Sequence, residues 1–437
     1  MNITRHFTNT LRLLAASLLI GSACIAKPLN NKPASDSPAK KKALILVSKG
    51  GHCHMMTANI IKDALSDTFD TVMVNPYEVS IMPTDSVKWL SFGYCDGEDF
   101  YNALLSNGWI RTINLMAYHL MPSVMHLARH YMQRNMEELL EKEKPDLLIS
   151  VIHYINYAAS KAAEKYKIPF LVTTLDMDLR MWLQDFELST HPNCIITVPE
   201  QSPGLMKQIK KKKIPTTMIH TAGFPLKKEF RVTRDAKTQE RIRHEWSLPD
   251  NKPIIMLMRG GAGSYNLIDY AKKIMSLDQP AHLLIMAGKN EGLKEKIAQL
   301  KPSTNVSFTA VPFTDKVADL MAVSSLLVTA PSPGTCNEAM HSGLPMLIDR
   351  SCESVIWEKA NLNDFILKHG QAKIFRSNRE LKRLVAEHLK QPVERYTVDL
   401  PRFDTEIRDV IVPLLFKQQL EQQNDAAIQD AHAAPVA

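Results

Sequence analysis

Residues 331–345 read Pro-Ser-Pro-Gly-Thr-Cys-Asn-Glu-Ala-Met-His-Ser-Gly-Leu-Pro, a tight turn, a helix opening and a carboxylate in close succession. Pro333 and Gly334 let the chain turn sharply after the apolar stretch 326–329. The free N–H groups of the next helix, from Thr335 on, then point outward and suit a diphosphate. Glu338 lies four residues after Gly334 on the same helical face and can accept hydrogen bonds from a ribose diol beside that diphosphate. Taken alone, the same turn also suits a helix start packed on a sheet. A second loop, Arg259-Gly260-Gly261-Ala262-Gly263-Ser264, offers backbone donors of the same kind through Gly261, Ala262 and Gly263. His52 follows Gly50-Gly51, and an imidazole with an ordinary pKa of about 6.5 is neutral enough near pH 7 to take a proton from an attacking hydroxyl. A histidine so placed also occurs as a structural residue, and His54 is the weaker alternative.

These groups need strands to carry them. Apolar runs at 254–258, 282–288, 306–308 and 326–329 alternate with helical segments, and the glycine loops fall at the strand ends. Such alternation predicts a doubly wound parallel sheet, which binds ligands beyond the carboxyl ends of its strands. Residues 311–314, with Phe313, form a loop able to present backbone groups to a base. The N-terminal half repeats the pattern, with strands near 43–47, 147–151 and 172–174. The expected fold class is therefore α/β, with two Rossmann-like domains facing a cleft.

The series GGAG, AGKN, PF and PSPGTCNEAMHSGLP resembles the glycosyltransferases that include plant monogalactosyldiacylglycerol synthases and bacterial processive diacylglycerol glucosyltransferases. It is more distantly similar to the transferase that completes lipid II. The resemblance runs from about Ala43 to about Phe375 and implies the two-domain GT-B architecture. Lys49 replaces the first glycine of the family's GGGH loop, and His52 matches its histidine. Asp176 resembles the family's Thr-Asp, as the base itself or as the group that orients His52, although the histidine that usually follows is absent before Trp182. Glu358 is implied as a donor-sugar contact, with Trp357 standing where the family has Gln. His153 sits where the family often has Thr-His-Pro. The segment 222–230 resembles the interdomain joint.

The resemblance implies an inverting transfer of a hexose or N-acetylhexosamine from a UDP-sugar to a membrane lipid such as diacylglycerol. No metal and no other cofactor would be required, because backbone N–H groups and a helix dipole meet the leaving charge. Asp176-Met177-Asp178 also fits a metal-binding DxD, but the second glycine-rich domain argues against the fold that uses one. Two readings of another class stay open: a UDP-sugar 2-epimerase of the same architecture, and a non-catalytic exported protein that binds carbohydrate or lipid.

At 437 residues and 45% apolar content the chain is long enough for two domains. The expected divisions are a signal-like apolar segment at 1–26, a basic linker at 27–42, an N-terminal acceptor domain at 43–222, and a C-terminal nucleotide-sugar domain at 223–390. A C-terminal helix at 391–417 and a disordered tail at 418–437 complete them. Net charge is +7, concentrated near residues 27–42 and 207–213, which suits an anionic membrane surface. Nucleic acid is disfavoured, since the clusters lack interleaved stacking aromatics. Six cysteines without metal or disulfide spacing exclude a zinc framework, and Cys53 and Cys336 read as small fillers. Arg5 and Arg12 precede the run 13–26, which is shorter than the roughly 20 residues of a spanning helix. It reads as an uncleaved anchor at the cytoplasmic face of the inner membrane, or as a cleaved export signal. Between Trp89 and Met136, aromatic and Met residues mix with His and Arg, suiting either core packing or a surface that meets lipid.

Overall fold

The computed structural model describes residues 40–48, 52–78, 97–106, 109–261, 263–351 and 353–433. The signal-like segment, nearly all of the basic linker, Gly50, Gly51, Ala262 and Cys352 lie outside them. Short aliphatic runs dominate the strands. Leu-Leu-Ile-Ser, Phe-Leu-Val-Thr and Ile-Ile-Met-Leu are buried at every position, the pattern of a parallel sheet covered on both faces.

The first sheet contains β1 (Lys41–Leu46), β2 (Phe69–Val74), β3 (Leu147–Ser150), β4 (Phe170–Thr173), β5 (Cys194–Val198) and β6 (Ile219–Thr221), in the order β2-β1-β3-β4-β5-β6. The second contains β7 (Ile254–Leu257), β8 (Ala281–Gly288), β9 (Val306–Pro312), β10 (Leu326–Thr329), β11 (Met346–Asp349) and β12 (Ala372–Phe375), in the order β12-β11-β10-β7-β8-β9. All these pairings are parallel. Strand order reverses direction between β1 and β3, and again between β7 and β10. Those are the crevices where open α/β sheets bind ligands.

Six helices matter for the site: α1 (His52–Ala64), α2 (Gly97–Ser106), α3 (Ile110–Leu115), α4 (Met121–Glu143), α5 (Pro333–His341) and α6 (Ile356–Asn361). Helix α4 buries Met125, Met132, Met136, Leu139 and Leu140. The chain then returns to the first domain: Phe403, Ile407, Ile411, Val412 and Leu415 pack with Ala43, Ile45, Ala58 and Ile61. The final helix runs from Val412 to Ala433, where a disordered tail from 418 was expected. Gln, Glu, Leu and Ala dominate its sequence, and their helix propensity outweighs the polar composition. Strand β9 likewise runs to Pro312, past the expected end at 308, through edge pairing of Val311 with Met286.

Candidate functional site

One wall of the cleft is made of backbone. Gly263 and Gly288 adopt φ of 74° and 61°, the left-handed region that favours glycine. A Cβ on Gly263 would lie 2.3 Å from the Ala287 carbonyl oxygen, and one on Gly288 would lie 2.4 Å from that of Gly261. The loops after β7 and β8 thus rest directly on each other, joined by a hydrogen bond from Lys289 N–H to Gly261 O at 3.0 Å. Phe313 stands exposed at the end of β9, with the Lys289 ammonium 4.7 Å from its ring centre. Helix α5 opens at Pro333, and no side chain from Ser332 caps its first amides. Thr335 is buried in its first turn. Burial pushes the Glu338 carboxyl up to about 8, with Lys227 pulling the other way.

The facing wall is made of side chains from the first domain. Asp176 follows β4, and both its oxygens are engaged: Asn361 Nδ2 donates at 2.9 Å and Trp182 Nε1 at 3.2 Å. Burial raises Asp176 to about 6, and those two hydrogen bonds hold it from rising further. Asn361 Oδ1 also accepts from Met177 N–H at 2.7 Å, so one amide from the second domain holds both the Asp176 carboxylate and the next backbone N–H of the first. Asp178 points elsewhere, to the Tyr118 hydroxyl at 2.9 Å and to the Arg180 guanidinium. The two aspartates thus have separate partners. Among the described residues no group of three or more His, Cys, Asp or Glu side chains is disposed to hold a metal ion.

His52 opens α1, and its side chain lies outside the described residues. His54, two residues on, bonds to the Val151 carbonyl through Nδ1 at 2.6 Å. Its ring lies 6.2 Å from those of His153 and Trp182. Burial lowers both histidines, His153 to about 3, so they are neutral near pH 7. Cys53 is the seam between the walls. Its thiol receives the Gly334 N–H, and burial beside Glu338 and Asp176 pushes it up to about 12. Such a thiol is protonated near pH 7.

Glu358 sits in the first turn of α6, raised to about 7 by burial and by Asp176, against the pull of Arg259. Arg259 stands inside the glycine loop after β7. It ion-pairs with the buried Asp349 and meets the Tyr270 hydroxyl. Burial opposes ionisation of Asp349, yet Arg259, with Ser351 and Tyr270, holds its carboxyl below the usual range. Tyr101 lies on α2. Burial raises its phenol further above its ordinary value, and Glu358, Asp176 and Cys53 add to the shift, which places it among them. The structure brings Asp176, Glu338 and Glu358 near one another around Cys53, with Gly334 beside its thiol.

No family model matches the chain. It is 26% identical over 380 residues to monogalactosyldiacylglycerol synthase 1 of Arabidopsis thaliana, covering 82% of this chain and 66% of that protein. The chain thus spans about two thirds of the length of that relative. It is 21% identical over 407 residues to the processive diacylglycerol beta-glucosyltransferase of Staphylococcus carnosus, covering 87% and 95%. These are the proteins that the sequence motifs resemble. Among solved structures, MurG of Acinetobacter baumannii matches with TM-score 0.53 at 13% identity over 87% of this chain and 99% of that one. UDP-GlcNAc 2-epimerase of Neisseria meningitidis, bound to UDP-GlcNAc, matches with TM-score 0.53 at 16% identity over 86% and 100%. The fold is GT-B.

Proposed function

We propose that the protein is an inverting glycosyltransferase that moves a hexose or N-acetylhexosamine from a UDP-sugar to a membrane lipid such as diacylglycerol. The observation that carries this is the facing of two unlike walls. Gly334 at the opening of α5 rests against the Cys53 thiol of the first domain, and Glu338 of the one domain and the half-buried carboxylate Asp176 of the other both act on that thiol. In this reading the backbone cradle of Gly261–Gly263, Gly334 and Thr335 holds the diphosphate, Glu338 the ribose, Phe313 and its loop the base, and Glu358 the sugar. His52 takes the proton from the acceptor hydroxyl, with Asp176 as its orienting partner or as the base. Direct attack on the anomeric carbon inverts its configuration. Backbone N–H groups and the α5 dipole meet the charge that develops on the leaving diphosphate, so no metal is needed for that step. Likeness to the two diacylglycerol glycosyltransferase relatives supports the lipid acceptor.

The acceptor side offers a surface that fits this reading. Leu120, just before α4, and Val124, Leu127 and Tyr131 along it recur at helical spacing and are exposed, Leu127 by 81%. Trp109 and Leu115 lie exposed just before them. His119, His126, Arg129, His130 and Arg134 accompany this stripe, and no acidic residue occurs from Phe100 to Met136. We assign it to an anionic lipid surface. Among the described residues no helix is long and apolar enough to cross a membrane.

The test is a panel of UDP-sugars with total membrane lipid, read by mass spectrometry for wild type and His52→Ala. Wild type is expected to form one glycolipid from one donor, and His52→Ala to lose most of that rate. No donor consumption by wild type would sink the transferase reading. UDP-sugar isomerised without lipid would replace it with the epimerase, which shares the fold.

A further inference from the structure

Helix α6 carries Glu358, yet little in its own domain holds its start. Val355 precedes it without a capping side chain, although the first amides of any helix need partners from outside it. The partner comes from the opposite domain. Asn114 on α3 is 6% exposed. Its Oδ1 accepts from Ile356 N–H at 2.9 Å, and its Nδ2 donates to Ser354 O at 3.3 Å. One side-chain amide thereby grips the backbone on both sides of Val355, as a neighbouring strand would.

Apolar contacts surround that grip. Val355 packs with Leu104 and Ile113, and Trp357 joins the same cluster. The Trp357 ring stacks with Tyr118, centres 6.4 Å apart and planes 29° apart. Tyr118 is itself held by Asp178, and the Arg180 guanidinium lies 4.0 Å from its ring centre. Asn361 grips Asp176 and Met177 from the far end of α6. Both ends of the helix are thus fastened to the first domain, and Glu358 lies between the two fastenings.

We propose that Asn114 is a positioning residue for the donor sugar, acting through the start of α6 on Glu358. This rests on the reading of Glu358 as a sugar contact. Asn114 touches neither donor nor acceptor in this scheme. It fixes where the Glu358 backbone stands relative to the cradle, so it acts on the sugar and not on the nucleotide. It also makes the sugar contact depend on the helix that leads into the exposed apolar stripe.

Calorimetry with UDP and with the preferred UDP-sugar tests this on wild type, Asn114→Leu and Asn114→Asp. Leu removes both hydrogen bonds at similar volume, and Asp keeps the acceptor for Ile356 N–H while losing the donor. Two hydrogen bonds of ordinary net strength predict about a 10-fold loss of UDP-sugar affinity in Asn114→Leu. UDP affinity should stay within about 2-fold, and Asn114→Asp should fall between. Amide exchange of residues 354–361 should quicken in Asn114→Leu while the strands keep their protection. Equal losses for UDP and UDP-sugar would reduce Asn114 to a folding role and overturn the proposal, as would unchanged affinity for both. Wild type that binds UDP but no UDP-sugar would instead overturn the transferase reading, and this proposal with it.

Discussion

The two walls of the cleft are built from different material. The second domain holds its half of the site with main chain: glycines at positive φ stack the loops after β7 and β8 carbonyl against Cα. The first domain uses side chains, Asp176, Trp182, His54 and His153, each oriented by another side chain or a carbonyl. A backbone wall suits the part of a ligand that never changes, such as a diphosphate. A side-chain wall suits chemistry, because its charge and proton affinity can be set by burial and partners.

If that division is right, the side-chain wall should be the one broken by an isosteric change. Asp176→Asn keeps the shape and the Asn361 and Trp182 neighbours but removes the carboxylate. Turnover should fall about 100- to 10,000-fold, the range for a lost acid–base group, with UDP affinity nearly unchanged. Steady-state kinetics beside calorimetry would read both. Because burial raises Asp176 to about 6, wild-type turnover should also drop as pH falls through about 6. A variant that retained full turnover would leave His52 without this partner.

The backbone wall should resist side-chain changes and yield to a single methyl group. Gly263→Ala forces a left-handed residue against the Ala287 carbonyl. Strain of this kind costs about 1–3 kcal/mol, and here it displaces the donors themselves. UDP binding is expected to vanish in calorimetry, while circular dichroism shows a folded protein of lowered melting temperature. Unchanged UDP affinity would mean that the nucleotide rests elsewhere.

Glu338 sharpens the comparison because it is a titratable side chain on the backbone wall. Its folded pKa of about 8 lies above the ordinary 4.5. The folded protein therefore keeps a proton that the unfolded chain has lost. That contribution to stability is fully present below about pH 4.5 and disappears as pH rises through about 8. Glu338→Gln should flatten this part of the melting-temperature curve, so that wild type loses stability relative to the variant between those pH values. Wild-type UDP affinity should strengthen over the same range as the carboxylate becomes a better acceptor for ribose hydroxyls. Parallel melting curves for the two proteins would refute the raised pKa of this carboxyl.

The same division explains what was legible in the sequence. Backbone walls announce themselves, because glycine and proline at strand ends have few other uses, and residues 260–263 and 331–345 could be read from their letters. Asp176 was legible only through the resemblance to the family's Thr-Asp, and it lies three residues after β4. Arg259 stood in plain view, but an arginine beside a glycine loop gives no sign that Asp349, on a later strand, will hold it. Asn361 and Asn114 were invisible. Their partners lie 185 and 242 residues away in the chain, and no spacing rule connects them before the two domains meet. Residues 89–96 of the mixed-periodicity stretch lie outside the described residues, and within α4 the pattern reflects two surfaces, with Met125 and Met132 inward and Leu127 and Tyr131 outward.

The smallest expected effect lies where the walls touch. A Cβ on Gly334 would come 3.0 Å from the Cys53 sulfur, close enough that the thiol must shift by a few tenths of an ångström. Gly334→Ala should therefore cost roughly 0.5–1 kcal/mol of stability in the wild-type background and almost nothing beside Cys53→Ala, a coupling of the size seen between residues in contact. Cys53→Ala alone should leave turnover within a few-fold, since a thiol held near pKa 12 supplies neither nucleophile nor base. Thermal melts of the two single variants and the double variant measure the coupling directly. Strict additivity would mean that helices α1 and α5 do not meet at this point.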